Sequence, residues 1–234
     1  MKKYKHLFFD LDRTIYDFDN NAKDTFFEIY NNFKLKELGI EDFKDFYCKY
    51  TQHNNKLWDL YRKGEIEKEL LSYKRFELTL NDFNIDDIVL AKKIAHEYIT
   101  KSPLKKKIFP HVRETLDFLK DKFRMHIITN GFEEVQMLKL QNTDLMKYFE
   151  HIITSERAGV KKPEKGIFEY SLKVANAETK ESLMIGDDLE VDILGAKNAG
   201  IDQVFVNYHN HQHKEKISFE IDSFNKLKDI LFCE

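Results

Sequence analysis

The chain has 234 residues, 42% hydrophobic and 34% charged, with a formal net charge of -3. That length accommodates one large domain or a core carrying a smaller insertion, and the composition can bury a core and stay soluble. A balance this near neutrality gives no electrostatic footprint for a nucleic acid polymer. Cys48 and Cys233 lie far apart at no metal-ligand spacing and read as buried or bystander thiols in a reducing compartment. The N-terminal apolar stretch, Leu7-Phe8-Phe9, is too short for a signal-peptide core, and no later run approaches the ~20 apolar residues of a membrane span. The expectation is a cytoplasmic protein with no membrane contact.

Taken in chain order, residues 5–11 form a short apolar run that stops at acidic residues, the pattern of a buried strand. Residues 18–102 differ: Phe26, Phe27, Tyr30 and Phe33, then Phe43, Phe46, Tyr47 and Tyr50, recur at helical spacing among charged residues. This block reads as several amphipathic helices whose aromatic stripe forms a core between them. After Pro103, apolar runs at 125–128, 151–154, 183–185 and 204–206 alternate with helical stretches at 112–121, 132–141, 164–176 and 190–199. Such alternation predicts an α/β fold, a doubly wound parallel sheet with right-handed crossovers. The helical block, 18–102, is then an insertion into a core made of 1–17 and 103–234. Residues 208–216 read as a polar, His-rich surface loop, and a helix near 223–232 closes the chain.

Ligands of open parallel sheets bind at the carboxyl ends of the strands. Strand one ends in Asp10-Leu11-Asp12-Arg13-Thr14, the second in Thr129-Asn130-Gly131, the third is followed by Lys161-Lys162-Pro163, and the fourth ends in Gly186-Asp187-Asp188 with Asp192 beyond. Carboxylates gathered this way need a cation among them, because bare like charges raise one another's pKa. A hard, oxygen-preferring ion such as Mg²⁺ fits.

Asp10-x-Asp12-x-Thr14, Thr129, Lys162 and Gly186-Asp187-Asp188 resemble, in order and spacing, the four motifs of the haloacid dehalogenase superfamily of phosphohydrolases, and the insertion resembles its helical cap of the first type. The resemblance implies a Rossmann-like core and catalysis through an aspartyl-phosphate. Asp10 is then the nucleophile and Asp12 the general acid and base. Asp187 completes a Mg²⁺ site with Asp10 and the Asp12 carbonyl. Thr129, the Asn130 N–H and Lys162 hold the phosphoryl oxygens, and Asp192 supports the metal waters or Lys162. A haloacid dehalogenase proper lacks the second acidic residue of the first motif, so Asp12 argues against that chemistry. A receiver domain carries its acceptor Asp on an internal strand and has no large helical insertion.

Bland readings stand beside these. Thr14 serves to fix its turn, and Asp188 is as well suited to cap the helix at 190–199 as to hold metal. Lys161 is a solvated neighbour. Gly131 either lets backbone approach phosphate or serves a turn. His209, His211 and His213 alternate like a metal tract but lie beyond the last predicted strand.

Residues 53–66, 127–132 and 159–168 further resemble the bacterial pyrimidine 5'-nucleotidase branch. That resemblance implies a small phosphorylated metabolite as partner, a nucleoside monophosphate such as UMP, dUMP or dTMP, handled by a monomer or homodimer. A phosphatase or phosphomutase acting on sugar phosphates is the alternative. Trp58, Tyr61 and Phe132 offer faces for a base to stack on, although Trp58 suits packing between helices equally. Asn54, Asn55 and Lys56 offer polar contacts to sugar or base. Arg13 stands where many relatives carry Gly or Glu.

Overall fold

A computed structural model describes residues 3–232 and divides the chain into two compact units, one running to Phe18 and resuming at Lys106, the other Asp19–Lys105. In the first unit, β1 (His6–Phe9), β2 (Arg124–Thr129), β3 (His151–Thr154), β4 (Ser182–Gly186), β5 (Asp202–Val206) and β6 (Phe219–Ile221) form one sheet in the order β3-β2-β1-β4-β5-β6. Every neighbouring pair is parallel. Phe8 lies beside His126 on one flank and Met184 on the other.

Side chains alternate across a strand, so β1 feeds two cores. Leu7 and Phe9 join Val112, Leu116, Leu140, Leu227 and Leu231 on one face, whereas Phe8 joins Ile167, Phe168, Leu172 and Ala196 on the other. The helices named by those residues are α5 (Val112–Leu119), α6 (Glu133–Asn142) and α10 (Leu227–Phe232) on the first face, and α8 (Lys165–Ala175) and α9 (Gly195–Asn198) on the second. A four-residue helix, α7 (Ser155–Ala158), precedes α8. Strand order therefore reverses at β1, with β2 and β3 to one side and β4 to β6 to the other. The crevice at such a switch point, beyond the carboxyl ends of β1 and β4, is where this architecture binds ligands.

Two elements differ from the sequence expectation. β6 was not foreseen: three residues with only Phe219 and Ile221 apolar carry no usable period, and the strand exists because β5 offers a free edge. The helix expected over 190–199 starts as a π-helical turn, Leu189–Leu194, before α9. Such turns are uncommon and concentrate at functional sites.

The second unit contains α1 from Asp19 on (Phe18–Asn32 in full), α2 (Phe43–Arg62), α3 (Lys68–Asn81) and α4 (Ile88–Lys101). Asp42 caps α2 by accepting from the Lys44 N–H, and Asp87 caps α4 through the Leu90 N–H. Phe26 centres the interior, its ring 4.0 Å from that of Tyr50 and 4.7 Å from that of Tyr98, with Phe46 and Phe76 around it. Phe27 departs from the expected stripe and is exposed. Among the described residues, no helix is long and apolar enough to cross a membrane. Cys48 is exposed on α2; Cys233 lies outside the described residues.

Candidate active site

Asp10 follows β1 directly, and its N–H donates to the Ile185 carbonyl of β4 at 2.9 Å, which carries the strand pairing one step further. Lys162 reaches it from the loop before α8. The lysine is 1% exposed, and its Nζ donates to Asp10 Oδ1 (2.6 Å), Asp192 Oδ1 (2.6 Å) and the Ile128 carbonyl (2.9 Å). All three ammonium protons are thus used. Asn130 fixes the lysine loop: its Nδ2 donates to the Lys162 carbonyl (2.8 Å) and its Oδ1 accepts the Lys162 N–H (2.9 Å).

Asp187, just past the end of β4, accepts from the Thr14 hydroxyl at 2.8 Å, so the hydroxyl expected to fix its turn instead orients a carboxylate. One carboxylate oxygen each of Asp10, Asp187 and Asp192 lies within 4.8 Å of the others. Asp192 comes this close only because residue 186 is glycine, whose added Cβ would overlap the Asp192 side chain. Asp188 takes neither metal-like position; its Oδ1 accepts the Glu190 and Val191 N–H groups and caps the π-helical turn.

Asp12 sits apart from that trio. Lys139, almost fully buried on α6, donates to its two oxygens at 2.6 and 2.8 Å, and Gln136 Nε2 approaches Oδ2 at 3.1 Å. Gln136 also donates to Thr129 Oγ1 (2.6 Å), which accepts the Gly131 N–H as well (3.0 Å). With both acceptor positions filled, the Thr129 O–H is left to donate, which suits a phosphoryl oxygen. A Cβ on Gly131 would overlap the Gln136 amide, so the glycine makes room for that residue. Sequence reasoning missed Gln136 and Lys139. Their signal was present, a Gln and a Lys three apart in a helix opening just after the Thr129 strand end, but it names no partner.

The electrostatics explain what the cluster lacks. Burial raises the Asp10 carboxyl; Lys162 opposes this, while Asp192 and Asp12 add to it. Asp187 is raised well above its usual range by burial and then by Asp10 and Asp192. Asp192 is raised by burial, against Lys162. Burial alone would lower Lys162, yet its attraction to Asp10 and Asp192 leaves it raised, hence firmly cationic. Two buried carboxylates, Asp10 and Asp192, share one ammonium, with the half-buried Asp187 beside them, so the donor set is all oxygen and short of positive charge. Both properties fit a Mg²⁺-type ion.

The remaining expectations resolve separately. Arg13 stacks over Phe18 with its guanidinium 4.7 Å from the ring centre. Within the helical unit, Trp58 is half-buried and meets Tyr61 edge-on at 5.5 Å, and Tyr61 is buried. Asn54 is no free polar contact, since its buried Oδ1 accepts from Tyr50 and Arg75 Nη1. Phe132 opens α6 and its side chain is buried. Among the described residues the His tract forms no three-ligand cluster: the His209 and His211 rings lie 5.6 Å apart, His213 pairs with Glu220, and Asn207 holds the His211 backbone. His211 and His213 instead line a cavity of about 330 Å³ bordered by Arg13, Asp187 and Asp188.

A parallel sheet of this order, with a carboxylate–lysine centre at its switch point, defines an α/β enzyme. The chain belongs to the haloacid dehalogenase-like hydrolase family, which it matches over residues 4–200. It is 32% identical to the pyrimidine 5'-nucleotidase YjjG of Escherichia coli K12, over 98% of each chain. A glyceraldehyde 3-phosphate phosphatase of Pyrococcus furiosus is 29% identical over 99% of this chain and 94% of its own. A crystal structure of the HAD-hydrolase YfnB of Bacillus subtilis bound to magnesium superposes with a TM-score of 0.89 at 25% identity, covering 98% of this chain and 99% of the other. The protein is a hydrolase of that family.

Proposed function

We propose that this enzyme hydrolyses pyrimidine nucleoside monophosphates such as UMP, dUMP and dTMP with Mg²⁺, through an aspartyl-phosphate on Asp10. The carrying observation is the separation of two carboxylate environments. Asp10 shares Lys162 with Asp192 inside the charge-poor trio, whereas Asp12 is held by Lys139 and Gln136. Pushing neighbouring carboxyls into different surroundings is how one site runs nucleophilic and acid–base chemistry together.

A carboxylate oxygen of Asp10 attacks phosphorus, and the P–O bond to the leaving alkoxide breaks. Asp12 gives that alkoxide a proton, then removes one from the water that cleaves the aspartyl-phosphate, so carboxylate and acid are both regenerated. The Lys162 ammonium, beside Asp10, offsets the charge that builds on the phosphoryl group, and the Thr129 hydroxyl donates to a phosphoryl oxygen during transfer. Asp10, Asp187 and Asp192 would hold the Mg²⁺, which when bound offsets repulsion between carboxylate and phosphate.

The substrate reading rests on near-full-length similarity to the Escherichia coli pyrimidine 5'-nucleotidase. Of Trp58 and Tyr61 in the helical unit, Trp58 is half-buried and keeps surface for a base, whereas Tyr61 is buried against it. A second reading, a phosphatase of small sugar phosphates, is favoured by the similarity to the Pyrococcus enzyme. Phosphate release from UMP, dUMP, dTMP and glyceraldehyde 3-phosphate, with Mg²⁺ or EDTA and beside Asp10→Asn, separates them. Fastest release from a pyrimidine nucleotide supports the nucleotidase. Fastest release from the triose phosphate keeps the mechanism and discards the base. Turnover by Asp10→Asn, with contamination excluded, would overturn both.

A further inference from the structure

Three histidines stand on one face of the sheet at the end away from Asp10. His126 on β2 is in register with His151 on β3 and with Phe8 on β1, and His6 lies two residues before Phe8, hence on the same face. The His126 and His151 rings stack at 5.3 Å. Glu150 precedes His151. One ring nitrogen each from His126 and His151 and one Glu150 oxygen lie within 4.8 Å of one another.

The state of His126 is the informative feature. Its side chain has no exposure to solvent, and its Nε2 is 3.1 Å from His6 Nδ1. The other nitrogen, Nδ1, is buried and has no hydrogen-bond partner among the described residues. Buried polar atoms are nearly always satisfied, so an orphan of this kind needs an explanation. When one imidazole nitrogen carries the proton, the other presents a lone pair, which is what a metal ligand offers.

We propose that His126, His151 and Glu150 form a second metal site, for a divalent transition ion of the zinc type rather than Mg²⁺. Two imidazoles and a carboxylate are a donor set that suits Zn²⁺ and leaves a fourth position for water. Nδ1 of His126 is the nitrogen left for the ion, because Nε2 faces His6. Metal-bound histidines characteristically donate their second N–H to a fixed acceptor. Here the chain is His126 Nε2–H to His6 Nδ1, with His6 Nε2 4.0 Å from Glu181 Oε1. Arg124 bonds both Glu150 oxygens, at 2.7 and 2.6 Å, which holds the carboxylate in place and leaves each oxygen a further lone pair. A cavity of about 270 Å³ borders Glu150 and His151, two of the three ligands. The site is independent of the carboxylate cluster at the opposite end of the strands.

The test is titration of the whole protein with Co²⁺ and Zn²⁺ in saturating Mg²⁺, read by cobalt absorption and calorimetry. One equivalent beyond the Mg²⁺-occupied site is expected. His151→Gln and, separately, Glu150→Gln, each checked for unchanged melting temperature, weaken it by more than 100-fold. His6→Phe weakens it by about 10- to 100-fold, the usual effect of losing a partner behind a ligand. His211→Gln, in the unrelated tract, leaves it unchanged. Absence of the extra equivalent in the wild type would overturn the site. So would its persistence in both His151→Gln and Glu150→Gln, or its loss in His211→Gln.

Discussion

Lys139→Met isolates the least anticipated part of the active centre. Methionine keeps much of the lysine's length and apolar stem but removes the charge that meets both Asp12 oxygens at 2.6 and 2.8 Å. Removing one member of a fully buried ion pair costs about 3–5 kcal/mol. The Asp12 side chain is 24% exposed, so water partly replaces the ammonium, and about 2–3 kcal/mol is expected. For a chain of this size that is a fall of about 4–12 °C in melting temperature. A positioned proton-transfer group contributes about 10²- to 10⁴-fold. Lys139→Met keeps the Asp12 carboxylate and loosens its placement, so kcat should fall by about 10- to 100-fold on UMP. p-Nitrophenyl phosphate, whose leaving group needs little protonation, should lose less. An unchanged melting temperature with equal losses on both substrates would refute the assignment of Lys139 as the group that positions Asp12.

Other outcomes follow from the same geometry. Gly186→Ala forces Asp192 off its seat beside Lys162; about 1–3 kcal/mol of stability should be lost together with most activity, read by denaturant melts and phosphate release. Asp10→Asn should abolish turnover and the acid-stable label left by a phosphorus-labelled substrate, while the protein still melts cooperatively. The carboxyls of Asp10 and Asp187 are raised, so the native state keeps protons that the unfolded chain sheds near 3.8. With more protons bound in the native state, their contribution to stability falls as pH climbs from about 4 towards about 7. Mg²⁺ should therefore raise the melting temperature more at pH 7.5 than at pH 5, and EDTA should cancel the rise; a rise independent of pH would contradict the cluster's role. Trp58→Ala should raise KM for UMP and spare p-nitrophenyl phosphate, whereas equal loss on both, with a lower melting temperature, would mark Trp58 as packing.

The sequence alone determined the positions of five strands, the helical block between the first strand and the rest, and the order of the motif residues. All of these are local: an apolar run ending in Asp10-Leu11-Asp12, or aromatics recurring every three or four residues, is written in contiguous chain. What the tertiary structure decided depends on groups far apart. Lys139 meets Asp12 across 127 residues, Thr14 meets Asp187 across 173, and neither pairing leaves a periodic trace. Gly131 reads as a turn or backbone-approach residue and Gly186 only as part of a motif, and only packing shows that they make room for Gln136 and Asp192. By type Asn54 offers a polar contact to sugar or base, whereas in the fold its buried Oδ1 accepts from Tyr50 and Arg75. β6 exists because β5 has an edge to fill, and His126 meets His151 only through strand register. Local hydrophobic patterning chooses the elements; which polar side chains share a buried site is set by their arrangement in three dimensions, where the need to satisfy every buried charge selects the partners.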